Sequence, residues 1–250
     1  MSKGIALFVT CLVDEFFPEV GEASLVCLEG VGCRPEFPEA QTCCGQPAFN
    51  MGYREETRRL ARRFIEIFEP YDAIVAPSGS CTSMVRVFYP ELFEREPEWK
   101  TRAEALSSRV FELTEFLAKE GFRSRGARGS KISAKVTYHD SCHLLRELGV
   151  HTQPRQLLQG VDGLELVELE DANVCCGFGG AFSVKMSELS EAILNDKLRA
   201  LEASGADVLT ATDCGCLMHL DGALKRRRSP LRAVHVARVL AGEATEEQAE

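Results

Sequence analysis

Paired cysteines are the residues of this 250-residue chain whose types and spacing most directly predict chemistry. The tripeptide Cys-Cys-Gly occurs twice, in TCCGQPA (42–48) and in VCCGFGG (174–180). A disulfide between adjacent cysteines would be strained, so another use is expected. Thiolates bind zinc and iron–sulfur clusters. Eleven cysteines in a chain without a recognisable export signal favour such chemistry over structural disulfides.

The two Cys-Cys-Gly stretches belong to an internal repeat. When Cys11 is placed over Cys142, the second half follows the first at an offset of 131 to 135 residues. DAIVAPSGSC (72–81) then falls on DVLTATDCGC (207–216). A repeat of this length predicts two copies of one structural unit, with four cysteines in each. The first set is Cys11, Cys43, Cys44 and Cys81, and the second is Cys142, Cys175, Cys176 and Cys216.

Cys214 competes with Cys216 for the last place in the second set. The distance along the chain from Cys176 slightly favours Cys214, whereas alignment of the preceding strands places Cys216 over Cys81. A slip of one residue reverses the direction of a side chain in a strand. We therefore assign Cys216 to the set and keep Cys214 as an extra or exchangeable ligand.

The same order of elements is predicted to position both sets. A strand-like run leads into the first cysteine of each half, GIALFVT (4–10) or AKVTYH (134–139). Apolar residues at helical spacing follow each Cys-Cys-Gly, and a short strand precedes the last cysteine. Strands that alternate with helices form parallel sheets, and ligands collect at the carboxyl ends of such strands. We predict an α/β protein with two pseudo-symmetric lobes, each a small, mostly parallel sheet flanked by helices, and metal sites near the cleft between them.

The predicted domain organisation follows from the repeat. We place the first repeat at 1–120, a connector at 121–133, the second repeat at 134–241 and an acidic tail at 242–250. The connector is rich in Gly, Ser and Arg, which is typical of an exposed segment. Before it, Trp99 to Lys119 is predicted to form one long helix. Its inner face would carry Leu106, Val110, Leu113 and Leu117.

The arrangement of the cysteines favours an iron–sulfur cluster over zinc. Structural zinc sites usually contain short Cys-x(2–4)-Cys motifs, whereas adjacent cysteines diverge and suit different irons of a larger cluster. Glycines after each pair allow backbone N–H groups to approach sulfur, and these are Gly45, Gly177, Gly179 and Gly180. We predict one or two [4Fe–4S] clusters, with zinc in one half left open.

Other cysteines and the histidines receive weaker assignments. Cys27 and Cys33 have no partner in the repeat and are expected to be small buried hydrophobes. His139 and His143 flank Cys142 and could donate a hydrogen bond to sulfur or carry a proton. The remaining histidines are expected to be ordinary surface or helix residues, namely His151, His219 and His235.

Composition excludes several classes of function. The net charge of −9 argues against a nucleic-acid partner. No apolar run is long enough to span a bilayer, and residues 1–10 lack the features of a signal peptide, so a cytoplasmic location without a transmembrane segment is expected. GFGG (177–180) follows a cysteine pair rather than a βα turn, so it does not indicate a nucleotide site.

The repeated order of one Cys, Cys-Cys-Gly and a final Cys after a short strand resembles the cysteine-rich CCG domain family. This family includes the CCG-containing chain of heterodisulfide reductase and the iron–sulfur subunit of glycolate oxidase, and the likeness covers both halves. The resemblance implies the electron-transfer subunit of a complex that oxidises L-lactate, a 2-hydroxy acid, to pyruvate. It also implies two partners, a ferredoxin-like iron–sulfur subunit and a third subunit. A thiol or heterodisulfide reductase component and the glycolate oxidase component remain alternatives.

The sequence departs from the heterodisulfide reductase chain at one position in each half. That protein ends its pattern with Cys-x-x-Cys, whereas Ser78 and Asp213 occupy the first of those positions here. This disfavours a fused non-cubane cluster and leaves thiolates for one cubane in each half, with Ser78 or Asp213 as an oxygen ligand. Two rival hypotheses are a thiol–disulfide enzyme that uses Cys214 with Cys216, and a zinc-stabilised scaffold. No general base for lactate oxidation is identifiable, so whether this chain is itself an enzyme is left open.

Overall fold

The computed structural model describes residues 3–124 and 134–243, and these form an α/β protein with two parallel sheets flanked by helices. The predicted fold class is therefore confirmed. The first sheet has the order β1-β2-β3 and the second has the order β5-β4-β6-β7. The strands are β1 Lys3–Leu7, β2 Tyr71–Ala76, β3 Val110–Glu112, β4 Ala134–Tyr138, β5 Leu164–Leu166, β6 Val208–Ala211 and β7 Arg232–His235.

Helices connect the strands and cover both sheets. In the first half they are α1 Cys11–Phe16, α2 Pro18–Gly30, α3 Gln46–Asn50, α4 Arg54–Phe68, α5 Gly79–Ser83, α6 Tyr89–Leu92, α7 Pro97–Ser107 and α8 Leu113–Lys119, with a π-helical turn at Met84–Phe88. In the second half they are α9 Cys142–Arg146, α10 Thr152–Gln159, α11 Ala181–Lys185, α12 Ser187–Ala203, α13 Cys214–Arg226 and α14 Val236–Ala241.

The strands that correspond in the repeat pair in the same way in the two sheets, and β5 is an additional strand in the second. Ile5 of β1 pairs with Ala73 of β2, and their counterparts in the repeat, Val136 of β4 and Val208 of β6, also pair. All strands in both sheets are parallel, so the loops that follow the central strands open at the same edge of each sheet. These loops carry the predicted cysteines.

The prediction of one helix from Trp99 to Lys119 is wrong. The segment is divided into α7, which ends at Ser107, then β3 and α8. Val110 pairs with Ile74 and completes the first sheet, which the helical spacing of the apolar residues could not reveal. The four residues of the predicted inner face are all buried, but they lie in three different elements: Leu106, Val110, Leu113 and Leu117.

The lobes share a hydrophobic core. Helix α2 of the first half packs against α14 of the second, and the Cys27 thiol lies 3.6 Å from the carbonyl oxygen of Ala237. Cys27 is the buried hydrophobe that the sequence predicted, and burial raises its pKa to about 12. Cys33 is only half-buried at the edge of the same core.

The ends of the predicted domain map lie partly outside the described residues. The connector is described only from Gly121 to Ser124, and the acidic tail only at Gly242 and Glu243. Of the helices in 3–124 and 134–243, none combines the length and apolar character needed to cross a bilayer.

Glu112 provides a pH-dependent test of the fold. Its carboxylate is fully buried and caps α8 by accepting hydrogen bonds from the N–H groups of Thr114 and Glu115. Burial raises the pKa of Glu112 to about 8, far above 4.5. Between these values the unfolded chain loses the proton that the folded chain keeps. Stability must therefore fall as the pH rises from 4.5 to about 8, by at most about 5 kcal/mol.

Replacement of Glu112 by glutamine removes this titration and keeps the acceptor oxygen. We expect the melting temperature of Glu112→Gln to vary less with pH than that of the wild type. Its increase over the wild-type melting temperature should be largest at the alkaline end. Thermal unfolding under anaerobic conditions, from about pH 5 to 8, measures the difference. Glu120→Gln changes an exposed carboxylate near the same helix and serves as the control. Parallel pH profiles for wild type and Glu112→Gln would contradict the assignment.

Candidate metal centre

The first cysteine set converges at the carboxyl edge of the first sheet. Cys11 begins α1, Cys43 and Cys44 precede α3, and Cys81 lies in α5, which follows β2. The Sγ atoms of Cys11 and Cys43 are 3.7 Å apart. Cys44 contributes to lowering the pKa of Cys43, and Cys43 and Cys81 both contribute to raising the pKa of Cys44, so these thiols lie close to one another. Four thiols from three separate stretches of the sequence thus come together at the wall of one cavity.

The second set repeats this arrangement. Cys175 contributes to raising the pKa of Cys142, and Cys175 and Cys216 both contribute to raising the pKa of Cys176, so these thiols lie close to one another. Cys216 is thus placed relative to Cys176 as Cys81 is relative to Cys44. Cys214 lies two residues away, is 3% exposed and belongs to the core shared by the lobes.

Both sets line one cavity between the lobes. Its volume is about 220 Å³, and all eight thiol-bearing residues of the two sets contribute to its wall. Leu12, Pro47 and Phe178 add apolar surface. Soft sulfur donors in a largely apolar cavity suit a metal ion or a metal–sulfur cluster better than a hard oxygen-seeking cation.

Two of the predicted glycines adopt a left-handed conformation and donate to sulfur. Gly45 has φ +85° and its N–H lies 3.4 Å from Cys43 Sγ. Gly177 has φ +89° and its N–H lies 3.3 Å from Cys175 Sγ. These donors stabilise negative charge on sulfur. The other two predicted glycines line the cavity, Gly179 and Gly180.

Each set contains one sulfur that its neighbours hold as a thiolate. Hydrogen bonds from the thiols of Cys11 and Cys44, joined by the Gly45 N–H, lower the pKa of Cys43 to about 3. In the second set, hydrogen bonds from neighbouring thiols lower the pKa of Cys175 to about 2. The same contacts raise the pKa of the donor thiols. Binding of a metal to all four sulfurs must therefore release protons.

These differences predict which thiols react first in the metal-free protein. At about pH 5, Cys43 and Cys175 are thiolates while the thiols that donate to them are protonated, so limiting iodoacetamide should modify these two first. Peptide mapping by mass spectrometry locates the label. Cys33 is a suitable internal reference because it is half-buried outside both sets and burial raises its pKa. Earlier labelling of Cys33 than of Cys43 would contradict the lowered pKa of Cys43.

Ser78 and Asp213, the two positions that distinguish this chain from a Cys-x-x-Cys pattern, bond to each other across the lobes. Ser78 Oγ donates to Asp213 Oδ1 at 2.9 Å, and Ser80 Oγ donates to the same oxygen at 2.6 Å. The Ser80 N–H lies 3.1 Å from Asp213 Oδ2. The carboxylate expected as an oxygen ligand is thus already engaged by three donors that fix one lobe against the other.

The histidines fall into different environments. His139 is fully buried, and neither ring nitrogen has a hydrogen-bond partner among the described residues. One of its nitrogens lies within 4.8 Å of the Sγ atoms of Cys176 and Cys216. Three such donors could also hold a metal ion. His143 lies beside Gln46, with 3.4 Å between the Nε2 atoms.

The prediction for His235 is wrong. This residue is 3% exposed at the end of β7, and its Nδ1 accepts a hydrogen bond from the Ala237 N–H, which caps α14. Two other histidines match the expectation: His151 is exposed and His219 lies on α13.

Sequence reasoning missed two buried charged groups near the second set. Asp140 forms a two-point ion pair with Arg155, with both N–O distances at 2.9 Å. Lys197 is 1% exposed on the inner face of α12. The sequence did contain a signal for Lys197, because this lysine interrupts the apolar stripe formed by Leu194, Leu198 and Leu201.

Two copies of one cysteine-presenting α/β unit facing a common cavity define the class of protein. The chain belongs to the CCG family, whose model, described as a cysteine-rich domain, matches residues 5–86 and again residues 136–221.

Several curated relatives carry the same description. The chain is 46% identical over 236 residues to lactate utilization protein A of Geobacillus sp. (strain WCH70), which covers 94% of this chain and 98% of that protein. It is 48% identical over 238 residues to lactate utilization protein A of Exiguobacterium sp. (strain ATCC BAA-1283 / AT1b), covering 94% and 96%. For the protein of that description from Bacillus subtilis (strain 168) the identity is 45% over 237 residues, covering 94% and 98%.

Solved structures add little to this result. A glutamate racemase from Bacillus anthracis has a TM-score of 0.38 and 11% identity, covering 97% of this chain and 78% of that chain. A likeness this weak carries no argument about the site.

Proposed function

We propose that this chain is the iron–sulfur electron-transfer subunit of a complex that oxidises L-lactate to pyruvate. The observation that carries the proposal is the convergence of two four-thiol groups on one cavity. Relatives described as lactate utilization protein A, similar over nearly their whole length, support the choice of substrate.

The residues of each set fit a [4Fe–4S] cluster. Four cysteines are the usual ligands of such a cluster, and each set brings four to the wall of the cavity. Cys11, Cys43, Cys44 and Cys81 would hold one cluster, and Cys142, Cys175, Cys176 and Cys216 the other. A bound cluster supplies reversible one-electron storage. The N–H groups of Gly45 and Gly177 stabilise charge on the ligating sulfurs, and the apolar wall limits contact with water.

The carboxylate in the cavity wall is not free to abstract a proton from a 2-hydroxy acid. Among the described residues that line it, the carboxylate is Asp213, and Ser78 and Ser80 already bond to it. Oxidation of lactate releases two electrons and two protons. We assign that chemistry to a partner subunit and single-electron transfer to this chain, beside a ferredoxin-like subunit and a third subunit.

The rival hypotheses find less support. A thiol–disulfide enzyme that uses Cys214 with Cys216 needs Cys214 to be exposed and of low pKa, but Cys214 is buried, and burial raises its pKa. Zinc in the second half has a specific observation in its favour, because His139, Cys176 and Cys216 are within reach of one ion. The four contiguous thiols favour the cluster in that half as well.

Substrate-dependent reduction tests the proposal. The complex is purified without air through a tag on this chain, and its visible absorption is recorded after L-lactate, D-lactate or glycolate is added. We expect L-lactate to bleach the iron–sulfur absorption and to yield pyruvate. Bleaching by dithionite but not by L-lactate would contradict the proposal. Bleaching by glycolate alone would favour the glycolate oxidase alternative.

A further inference from the structure

The helices behind the two cysteine sets align residue by residue at an offset of 133. Thr57 of α4 and Ser190 of α12 each pack against the glycine that follows the cysteine pair. The buried residues of the two helices then correspond in the alignment: Ala61 with Leu194, Ile65 with Leu198, and Phe68 with Leu201. The remaining buried pair is Phe64 and Lys197. A lysine thus occupies the place of an aromatic core residue.

A second exchange lies next to the first. Phe8 follows β1, and its counterpart at an offset of 131 is His139, which follows β4. Phe8 and Phe64 are in contact in the first lobe, with ring centroids 4.8 Å apart and an edge-to-face orientation. Lys197 contributes to lowering the pKa of His139 to about 4, after burial itself. The first lobe therefore has an apolar aromatic pair where the second has a histidine and a lysine.

The Lys197 ammonium is buried without the full neutralisation that such a charge requires. Its Nζ donates to the carbonyl oxygens of Asp171 at 2.6 Å and Ala172 at 3.3 Å, in the segment that leads into the second cysteine pair. The nearby carboxylate of Asp140 is engaged by Arg155. An ammonium removed from water is costly unless negative charge lies close by.

The second cysteine set supplies that negative charge. Burial lowers the pKa of Lys197, and the charges of Cys176, Asp171, Asp140 and Cys175 oppose this effect. A cluster ligated by four thiolates is negatively charged and becomes more so when it accepts an electron. A fixed positive charge close to one cluster stabilises its reduced form and raises its potential.

We propose that Lys197 gives the second cysteine set a higher reduction potential than the first, so that electrons pass within the chain from the first lobe to the second. This inference rests on the proposed function, in which each set holds a [4Fe–4S] cluster. Phe8 and Phe64, the counterparts of His139 and Lys197 in the first lobe, offer the first set no charge.

Redox titration followed by electron paramagnetic resonance tests the inference. Cys44→Ser and Cys176→Ser leave one intact set each and assign the two signals. We expect the signal that survives in Cys44→Ser to have the higher potential. In Lys197→Met the equilibrium constant for one-electron reduction of that cluster should fall by a factor of about ten or more. This corresponds to a decrease of about 59 mV or more in its reduction potential. The other signal should not move.

Lys185→Met is the matched control. Lys185 lies on α11 of the same lobe and is exposed, so solvent screens its charge, and its loss should leave both potentials unchanged. Equal potentials in the two single-set variants would overturn the inference even if Lys197→Met did not fold. A shift of both signals or of neither in Lys197→Met would also overturn it. Absence of any cluster in the wild type would instead refute the proposed function itself.

Discussion

Replacement of Cys176 by serine should remove the iron–sulfur signal of the second set and leave that of the first. Cys176 is central in its set because it contacts both Cys175 and Cys216, and it is 2% exposed. A serine hydroxyl is a poorer donor for iron than a thiolate. We expect iron and acid-labile sulfide to fall to about half of the wild-type content, since one of two clusters is lost.

Three matched variants make this result specific. Cys44→Ser should have the mirror-image effect, because Cys44 has the same central place in the first set. Cys33→Ser alters a thiol outside both sets and should change neither signal. Cys214→Ser tests the extra ligand that the sequence left open. Loss of the second signal in Cys214→Ser but not in Cys176→Ser would show that the ligand set is wrong.

Gly177→Ala should be among the most damaging single-methyl substitutions in the protein. A Cβ atom at this position would lie 2.6 Å from the backbone oxygen of Ser190 and 3.3 Å from the backbone nitrogen of Leu194. Backbone atoms of α12 cannot move aside as a flexible side chain can. Gly177 also has φ +89°, which disfavours alanine. We expect a loss of about 2–4 kcal/mol of stability, together with impaired cluster binding.

Gly149→Ala separates the cost of the steric clash from the cost of a positive φ. Gly149 has φ +67° but nothing within 4 Å of an added Cβ, so only the conformational cost of about 1–2 kcal/mol applies. Gly45→Ala should fall between the two, because the nearest atom is a methyl group of Thr57 at 3.3 Å. Anaerobic thermal unfolding and iron content measure both consequences. Equal stability for Gly177→Ala and Gly149→Ala would contradict the predicted clash.

The repeat made much of the fold predictable from sequence. Strands that lead into Cys11 and Cys142, and those before Cys81 and Cys216, occur where the pattern placed them. The register rule chose Cys216 over Cys214, and Cys216 is the thiol that contacts Cys176. These features depend on local spacing and on comparison of two copies, both of which a single sequence contains.

Features that depend on tertiary contacts were missed. The apolar residues of the segment 99–119 fit a helix. The segment is divided at β3 because residues 110–112 pair with β2 in the first sheet, which is a contact distant in sequence. The bond between Ser78 and Asp213 joins different lobes, so no spacing within one repeat predicts it. Lys197 could have been noticed, because a charge interrupts an apolar stripe, but its neighbours Asp171 and Ala172 come from a distant loop.

Iron, zinc and acid-labile sulfide analysis of protein purified without air tests most directly whether the two thiol groups hold clusters. We predict iron and sulfide in equal amounts, about eight of each per chain, with no stoichiometric zinc. Zinc without sulfide, or a metal-free chain whose thiols all react with a thiol reagent, would contradict the assignment of both sets.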